Sequence, residues 1–400
     1  MLIISAASYS QQKFHNICLI EKNLVQESKN EYSLYISFRI SYEDLIFSKE
    51  DSAFTSGAEF FCEVYEKDKL VERKSVNSFV KVPDYKSTTN KEMFLQTLLK
   101  FKVNNSVYIV KPAIQRANTN LLFTLKEFDI DLVNTPKKVK PVIVKNTPLR
   151  NEYELLNYEN SIPYDANQHV LLLPVPDSLA TLQIQILQKS AVIYNESSVS
   201  VSPNTIEINE NSGTLLVKVK PKALITHSYI KIDLPQNADE GDLQITIESG
   251  KKKIIYNLPV IWFNKPFILG DLELSINLMK MIIGETKANL LLKEPDENKY
   301  SLLKTEWNKI AKSGSNGMNL LMAEFYSRAD YALFNFSFDG KRNGPETDRG
   351  RIYLKFGKPD NIERKYNDKN DIIEIWKYEN QERNYIFEDT SGKGNYILRN

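Results

Sequence analysis

From residue 13 to 134, apolar and polar positions alternate with a period of two, interrupted by turns. EYSLYISFRI, AEFFCEVYEKDKLVERKSV, MFLQTLLKFKV, SVYIVKPAIQR and NLLFTLKEFDI each predict strands. In the second, Phe60, Cys62 and Val64 alternate with Phe61, Glu63 and Tyr65, and EKDK supplies a polar hairpin tip. Closely spaced strands without helices between them predict a β-sandwich. The polar, proline-bearing NTPKKVKP reads as a linker. Residues 138–264 repeat the theme through HVLLLPVP, ATLQIQIL, NTIEI, TLLVKVK, YIKIDLP, DLQITIE and KKIIYNLPVIWF, with NENSG and Ser249-Gly250 as turns. This block predicts a second sandwich, giving two tandem immunoglobulin-like modules.

At NKPF, residues 264–267, the period changes. Ile268, Leu272, Ile276, Met279 and Ile283 fall three or four apart, as on one helical face. Pro295-Asp296 opens another helix with Tyr300, Leu303, Trp307 and Ile310 on one stripe, and SGSNG stops it. A third carries Leu321, Phe325, Ala329 and Ala332, and these stripes read as core. From 350 onward RIYLKFG, IIEIWKY, NYIFED and NYILRN predict short strands. Residues 266–400 are therefore expected as an α+β domain, with helices over about 268–335 and short strands over about 350–399.

Composition narrows the function classes. Four hundred residues exceed one ordinary core. The 52 basic and 51 acidic residues leave a net charge of +1, which argues against a nucleic-acid-binding surface. Only 14 glycines disfavour glycine-rich nucleotide loops, while 21 Tyr and 19 Phe suit pleated sheets. Cys18 and Cys62 supply neither a disulfide framework nor metal-ligand spacing, and are read as buried free thiols, although adjacent strands would let them pair. Residues 1–12 of MLIISAASYSQQKF are expected to be the remnant of a secretory signal: an apolar run, small residues, then a Gln-rich polar stretch. An ordinary first strand is the competing reading. No other run reaches the ~18 apolar residues of a transmembrane helix.

Conventional catalytic signals are sparse. His15, His169 and His227 are isolated and without paired-ligand spacing, and neither a G-x-S-x-G elbow nor a phosphate-binding loop is present. The densest chemistry lies in GPETDRGRIYLKFGKPDNIER, residues 344–364, with the carboxylates Glu346, Asp348, Asp360 and Glu363. Two carboxylates can act as acid and base if burial separates their pKa values. The competing reading is structural: Thr347 or Asp348 accepts backbone N–H groups at a turn, while Arg349 and Arg351 pair with the acids. Gly357 and Pro359 are expected to set a turn after the Ile352, Leu354, Phe356 alternation. Trp376 and Tyr378 share one strand face. EDTSGKGNY reads as a hairpin tip that lacks the full calcium-loop ligand series.

With IEIWKY and YIFEDTSGKGNYIL, the stretch resembles the GWxTD domain of exported bacterial proteins. Gly344, Thr347, Asp348, Arg349, Gly350, Gly357, Pro359, Asp360, Trp376, Tyr378, Phe387, Asp389, Gly392, Gly394, Tyr396 and Leu398 match its pattern over roughly 266–400. The tryptophan of the family motif is Pro345 here. The resemblance implies export, to the periplasm or beyond the cell, and carries no established activity.

The expectation is a non-catalytic, envelope-associated interaction or assembly protein with an envelope or secreted protein partner, and without cofactor or metal. One rival is a hydrolase of envelope glycan or peptide using Asp348, Arg349, Arg351 and Asp360 beside Trp376. Another is carbohydrate binding by exposed aromatics on a sandwich face. Thr347, Asp348, Arg349, Arg351, Asp360 and Trp376 are the candidate binding residues.

Overall fold

The computed structural model describes residues 18–117, 122–134, 139–179, 181–222, 227–312, 317–340, 343–379 and 382–399. The expected signal remnant, His15, most of the SGSNG stop and positions 135–138 of the expected linker lie outside the described residues. The architecture is mainly β. The chain divides into two compact units, Met1–Ile261 and Trp262–Asn400.

In the first unit, Cys18–Gln26, Glu31–Ser41 and Phe94–Asn104 form a three-stranded antiparallel sheet. Ala53–Glu66 is central to a six-stranded sheet, flanked by Lys69–Val82 and Val107–Arg116. Because side chains alternate across a strand, Phe60, Cys62 and Val64 face inward and are buried. Phe38 of the facing sheet meets Phe60 at a centroid distance of 4.9 Å. Lys67 and Asp68 take φ of 46° and 63°, so the EKDK tip closes with both central residues left-handed, as tight hairpins require.

The second β block stacks a six-stranded sheet, running from Asn204–Asn211 to His227–Asp233, on a five-stranded sheet centred on Gly241–Ser249. Leu171, Leu173, Ile184, Ile186, Ile245 and Ile247 are fully buried in this block. One continuous apolar cluster joins the two blocks, from Leu34, Phe38 and Phe60 through Val139, Val142 and Val144 to Ile206 and Val217. A polar layer accompanies it. Glu31–Ser41 is buried on both faces, and one face carries Ser33, Ser37 and Arg39. Arg39 donates to the carbonyl of Leu156 and to Tyr158 Oη, and its guanidinium lies 3.5 Å from the Phe94 ring centroid and 3.7 Å from that of Tyr158. Ser37 Oγ donates to Asn157 Oδ1 at 2.9 Å, and Glu21 Oε2 accepts from Asn160 N–H at 3.1 Å. Asn157, Glu159 and Asn160 sit at φ of 55°, 54° and 59°, so this loop is held in a costly conformation by buried polar partners.

The second unit begins with a 3-10 turn, Phe267–Gly270, followed by the helices Leu272–Ile283, Glu285–Leu292, Asp296–Ile310 and Leu320–Phe336. The apolar spacing from 268 to 283 predicts one helix, but Ile268 belongs to the turn. Asp271 starts the helix by accepting Leu274 N–H at 3.0 Å, and Gly284 at φ 84° ends it. Trp307, Leu303, Ile276, Met279 and Tyr326 fill the core between the helices. The Trp307 indole N–H points to Tyr326 Oη at 3.4 Å, and that hydroxyl donates to the Ser275 carbonyl at 3.0 Å. Ile310 and Leu321 are exposed, so the inward stripes run through Leu303 and Trp307, and through Met322, Phe325, Ala329, Ala332 and Phe336.

The RIYLKF segment corrects the strand expectation: Asp348–Phe356 is an α-helix. Alternating Ile352, Leu354 and Phe356 match a strand period, but the buried positions are Arg349, Gly350, Tyr353 and Leu354, the spacing of a helical face. A hydroxyl at the N-cap and a glycine at the C-cap bound the segment and decide it. Four antiparallel strands follow in sequential order, Asn361–Tyr366, Ile372–Tyr378, Arg383–Asp389 and Ile397–Leu398.

Candidate functional site

Thr347 is the N-cap of the Asp348–Phe356 helix. Its Oγ1 accepts from Gly350 N–H at 3.0 Å and donates to the Gly344 carbonyl at 2.7 Å. Asp348 occupies the first turn, where a carboxylate suits the helix dipole, and its Oδ2 accepts Leu398 N–H at 2.9 Å. It thereby ties the helix to the last strand. Gly344 and Gly350 permit the close approach of three backbone segments. A Cβ on Gly344 would lie 2.0 Å from the Ala332 carbonyl oxygen, and one on Gly350 would lie 2.0 Å from that of Gly344. At the other end, Gly357 caps the helix with φ 78°, and Tyr378 Oη donates to its carbonyl at 2.8 Å. Burial pushes that phenol well above its ordinary range.

Arg349 turns inward from the helix. Its guanidinium lies 4.9 Å from the Phe336 ring centroid and 3.9 Å from that of Tyr396, donates to Glu374 Oε2 at 3.2 Å and to the Gly394 carbonyl at 3.3 Å. Glu374 is 2% exposed. Its Oε2 also accepts the Trp376 indole N–H at 3.2 Å, and its Oε1 accepts Arg364 Nε at 2.8 Å and Nη2 at 2.7 Å. Both carboxylate oxygens are thus engaged. The hydrogen bond to Glu374 holds the Arg364 guanidinium above its usual pKa. Below this network Trp376 packs on Phe387 at 4.9 Å and Phe336 at 5.4 Å.

Of the six candidates, Thr347, Asp348, Arg349 and Trp376 come together around this helix and its sheet. Arg351 does not: it is exposed on the helix and shares none of these contacts. Asp360 stands at the next turn, where its Oδ2 accepts Glu379 N–H at 2.8 Å while its own N–H donates to the Lys377 carbonyl at 2.9 Å. The other motif acids are also placed: Glu346 is exposed, and Glu363 pairs with Lys377. Pro345 is buried at the start of a one-turn 3-10 helix.

The central carboxylate, Glu374, was not among the sequence candidates. A signal for it existed, since Glu374, Trp376 and Tyr378 recur at period two and share the buried face of Ile372–Tyr378. At the hairpin tip, Asp389 Oδ1 accepts from Ser391 N–H and Oγ, and Oδ2 accepts from Gly394 N–H at 2.7 Å. That carboxylate therefore shapes the loop.

The isolated histidines and cysteines are dispersed. Buried His169 has Nε2 3.0 Å from Asp165 Oδ1. His227 Nδ1 lies 3.1 Å from Gln26 Oε1, and burial lowers its pKa. Cys18 and Cys62 are both free and buried, and burial pushes each thiol up to about 12.

Residues 272–399 match the family model described as the GWxTD domain. A search of curated proteins finds no match to the chain. Among solved structures, the chain is similar at 10% identity to the BSP domain of a biofilm-associated protein, with 65% of this chain and 55% of that one covered and a TM-score of 0.17. The chain thus spans about half the length of that structure. The C-terminal domain of a Streptococcus pyogenes antigen I/II-family protein is similar at 9% identity, over 61% of this chain and 99% of that one, with a TM-score of 0.15. A tandem of titin immunoglobulin domains is similar at 8% identity, over 61% and 95%, with a TM-score of 0.13.

Proposed function

We propose that this GWxTD domain-containing chain is a non-catalytic, exported interaction or assembly protein of the cell envelope, with two immunoglobulin-like β-sandwiches preceding its α+β domain. One observation carries the reading: Asp348, Arg349, Asp360 and Glu374 are engaged with one another and with backbone groups. Arg349 and Glu374 are paired beneath the surface, and Glu374 accepts from two guanidinium groups and an indole. A general acid or base needs an oxygen or nitrogen within reach of a substrate proton. Asp348 and Asp360 instead hold main-chain N–H groups. This geometry supports a scaffold role for the motif over the hydrolase reading.

The match of residues 272–399 to the GWxTD domain supports export to the periplasm or the extracellular space. The protein's value to the cell would then lie in the surfaces its rigid β blocks present. Crosslinking the full chain in its native host, followed by mass spectrometry, tests this. Recovery of one or more envelope proteins is expected. Recovery of cytoplasmic partners alone would overturn the proposal.

A further inference from the structure

The outer face of Ala53–Glu66 is at odds with an ordinary solvated sheet. Phe61, Glu63 and Tyr65 alternate outward while Phe60, Cys62 and Val64 fill the core. Across the strand pairs, Glu63 stands opposite Arg73 on one side and Lys111 on the other, and Phe61 stands opposite Ala113. Ala113 is small, so the sheet dips beside the Phe61 ring. Thr124, opposite Ala113 on the next strand, and the half-exposed Leu122 raise a wall beyond the dip. The result is an open cleft of about 220 Å³.

The chemistry around this cleft is balanced. Glu63 and Glu127 supply carboxylate acceptors, Lys111 a donor and Thr124 both. Arg73 pairs with Glu63 at 3.5 Å and lies 5.8 Å from the Phe61 ring centroid, and Tyr65 Oη donates to Glu63 Oε2 at 2.7 Å. A phosphate-bearing ligand would call for an excess of cations, which is lacking here. An apolar helix or strand would call for an apolar rim, and the rim is charged. A ligand with one flat C–H face and a ring of hydroxyls satisfies both the aromatic floor and the mixed border. At about 220 Å³ the cleft is smaller than the roughly 300–1,000 Å³ that enclose a whole small molecule, which suits one ring of a longer chain lying along the sheet.

We propose that this cleft binds a neutral carbohydrate, one sugar ring stacking on Phe61 with its hydroxyls bonded to Glu63, Lys111 and Thr124. This names a partner class for the envelope-interaction reading and rests on it only for its cellular setting. The test is calorimetric titration of the full chain with chitohexaose, cellohexaose, maltohexaose and dextran. At least one saccharide is expected to bind saturably. Phe61→Ala should weaken it about tenfold, the value of one lost stacking contact. Glu63→Gln should weaken it too, while Tyr85→Ala, an exposed aromatic outside the cleft, should leave it unchanged. Thermal melts confirm folding of each variant, and Glu63→Gln carries the test if Phe61→Ala misfolds.

Absence of saturable binding to every saccharide, or binding indifferent to both cleft variants, overturns the inference. Its failure is distinguishable from failure of the assembly reading. Envelope crosslinks that persist without sugar binding sink the cleft alone, and sugar binding without envelope crosslinks sinks the assembly role alone.

Discussion

Arg349 and Glu374, 25 positions apart in the chain, meet at 3.2 Å with both side chains buried. Taking two charges from water is costly, and the cost is recovered only when each is fully hydrogen-bonded. Here the carboxylate also receives Arg364 and Trp376, and the guanidinium also reaches the Gly394 carbonyl. Removing one partner strands the other. Arg349→Ala and Glu374→Ala are each expected to cost about 3–5 kcal/mol in urea unfolding of the second unit. The double replacement Arg349→Met with Glu374→Leu should cost less than the sum of the two single losses. Additive losses would contradict a coupled pair.

Gly350 is required by space. A Cβ there would meet the Gly344 carbonyl oxygen at 2.0 Å and Pro345 backbone atoms at 2.8 and 2.9 Å, none of which can swing aside. Gly350→Ala should destabilise by about 3 kcal/mol, at the upper end for overpacking. Gly270→Ala, where an added Cβ meets open space, is the control and should change stability little. Equal effects at the two positions would contradict the close-approach argument.

Asp389 links the hairpin tip to pH. Burial would raise its pKa, but the hydrogen bonds from the Ser391 hydroxyl and from the Gly394, Ser391 and Gly392 backbone outweigh this and hold it below the ordinary 3.8. The folded pKa is depressed, so its contribution is fully present above 3.8 and is lost as pH falls through the folded value. Asp389→Asn should therefore lower the urea midpoint at neutral pH, with the gap to wild type closing in acid. A gap independent of pH would argue that the carboxylate's charge is irrelevant.

Arg39 anchors the strained loop of the first unit. Its guanidinium lies between Phe94 and Tyr158 and donates to the Leu156 carbonyl. Arg39→Ala removes a buried cation beside Glu21, whose own pKa is raised by burial. A loss of about 3 kcal/mol is expected, in the range for breaking a buried polar network. Hydrogen exchange should rise selectively over residues 156–161. Uniform exchange across the unit would mean that Arg39 does not hold this loop.

Cys18 and Cys62 should be inert in the native state. Both thiols are buried and pushed up to about 12, so little thiolate exists at neutral pH. A thiol reagent should label neither in buffer and both in guanidinium. Rapid labelling of folded protein would show that one of the sites opens.

Period-two alternation reported Phe60, Cys62 and Val64 as inward residues because strand geometry leaves no other arrangement once one face is apolar. Spacing of three and four likewise reported Leu303, Trp307 and Phe325. The matched glycines and the Thr347-Asp348-Arg349 run marked the domain, since caps and close approaches are local demands that particular residues meet. Local pattern failed at Ile352, Leu354 and Phe356, a run too short to separate strand from helix; there the Thr347 cap and the burial of Tyr353 decided.

Periodicity and composition report most of the elements apart from the Asp348–Phe356 helix, the change from sheet to helix near residue 264, and the motif that marks the C-terminal domain. Which charges are buried, and against which partners, is set by three-dimensional packing. Glu374 reads as one more strand carboxylate until the fold brings Arg349 and Arg364 to it. The polar face of Glu31–Ser41 reads as a solvated surface until the second β block covers it. Burial of a charge depends on partners distant in the chain, and neither periodicity nor composition records that distance.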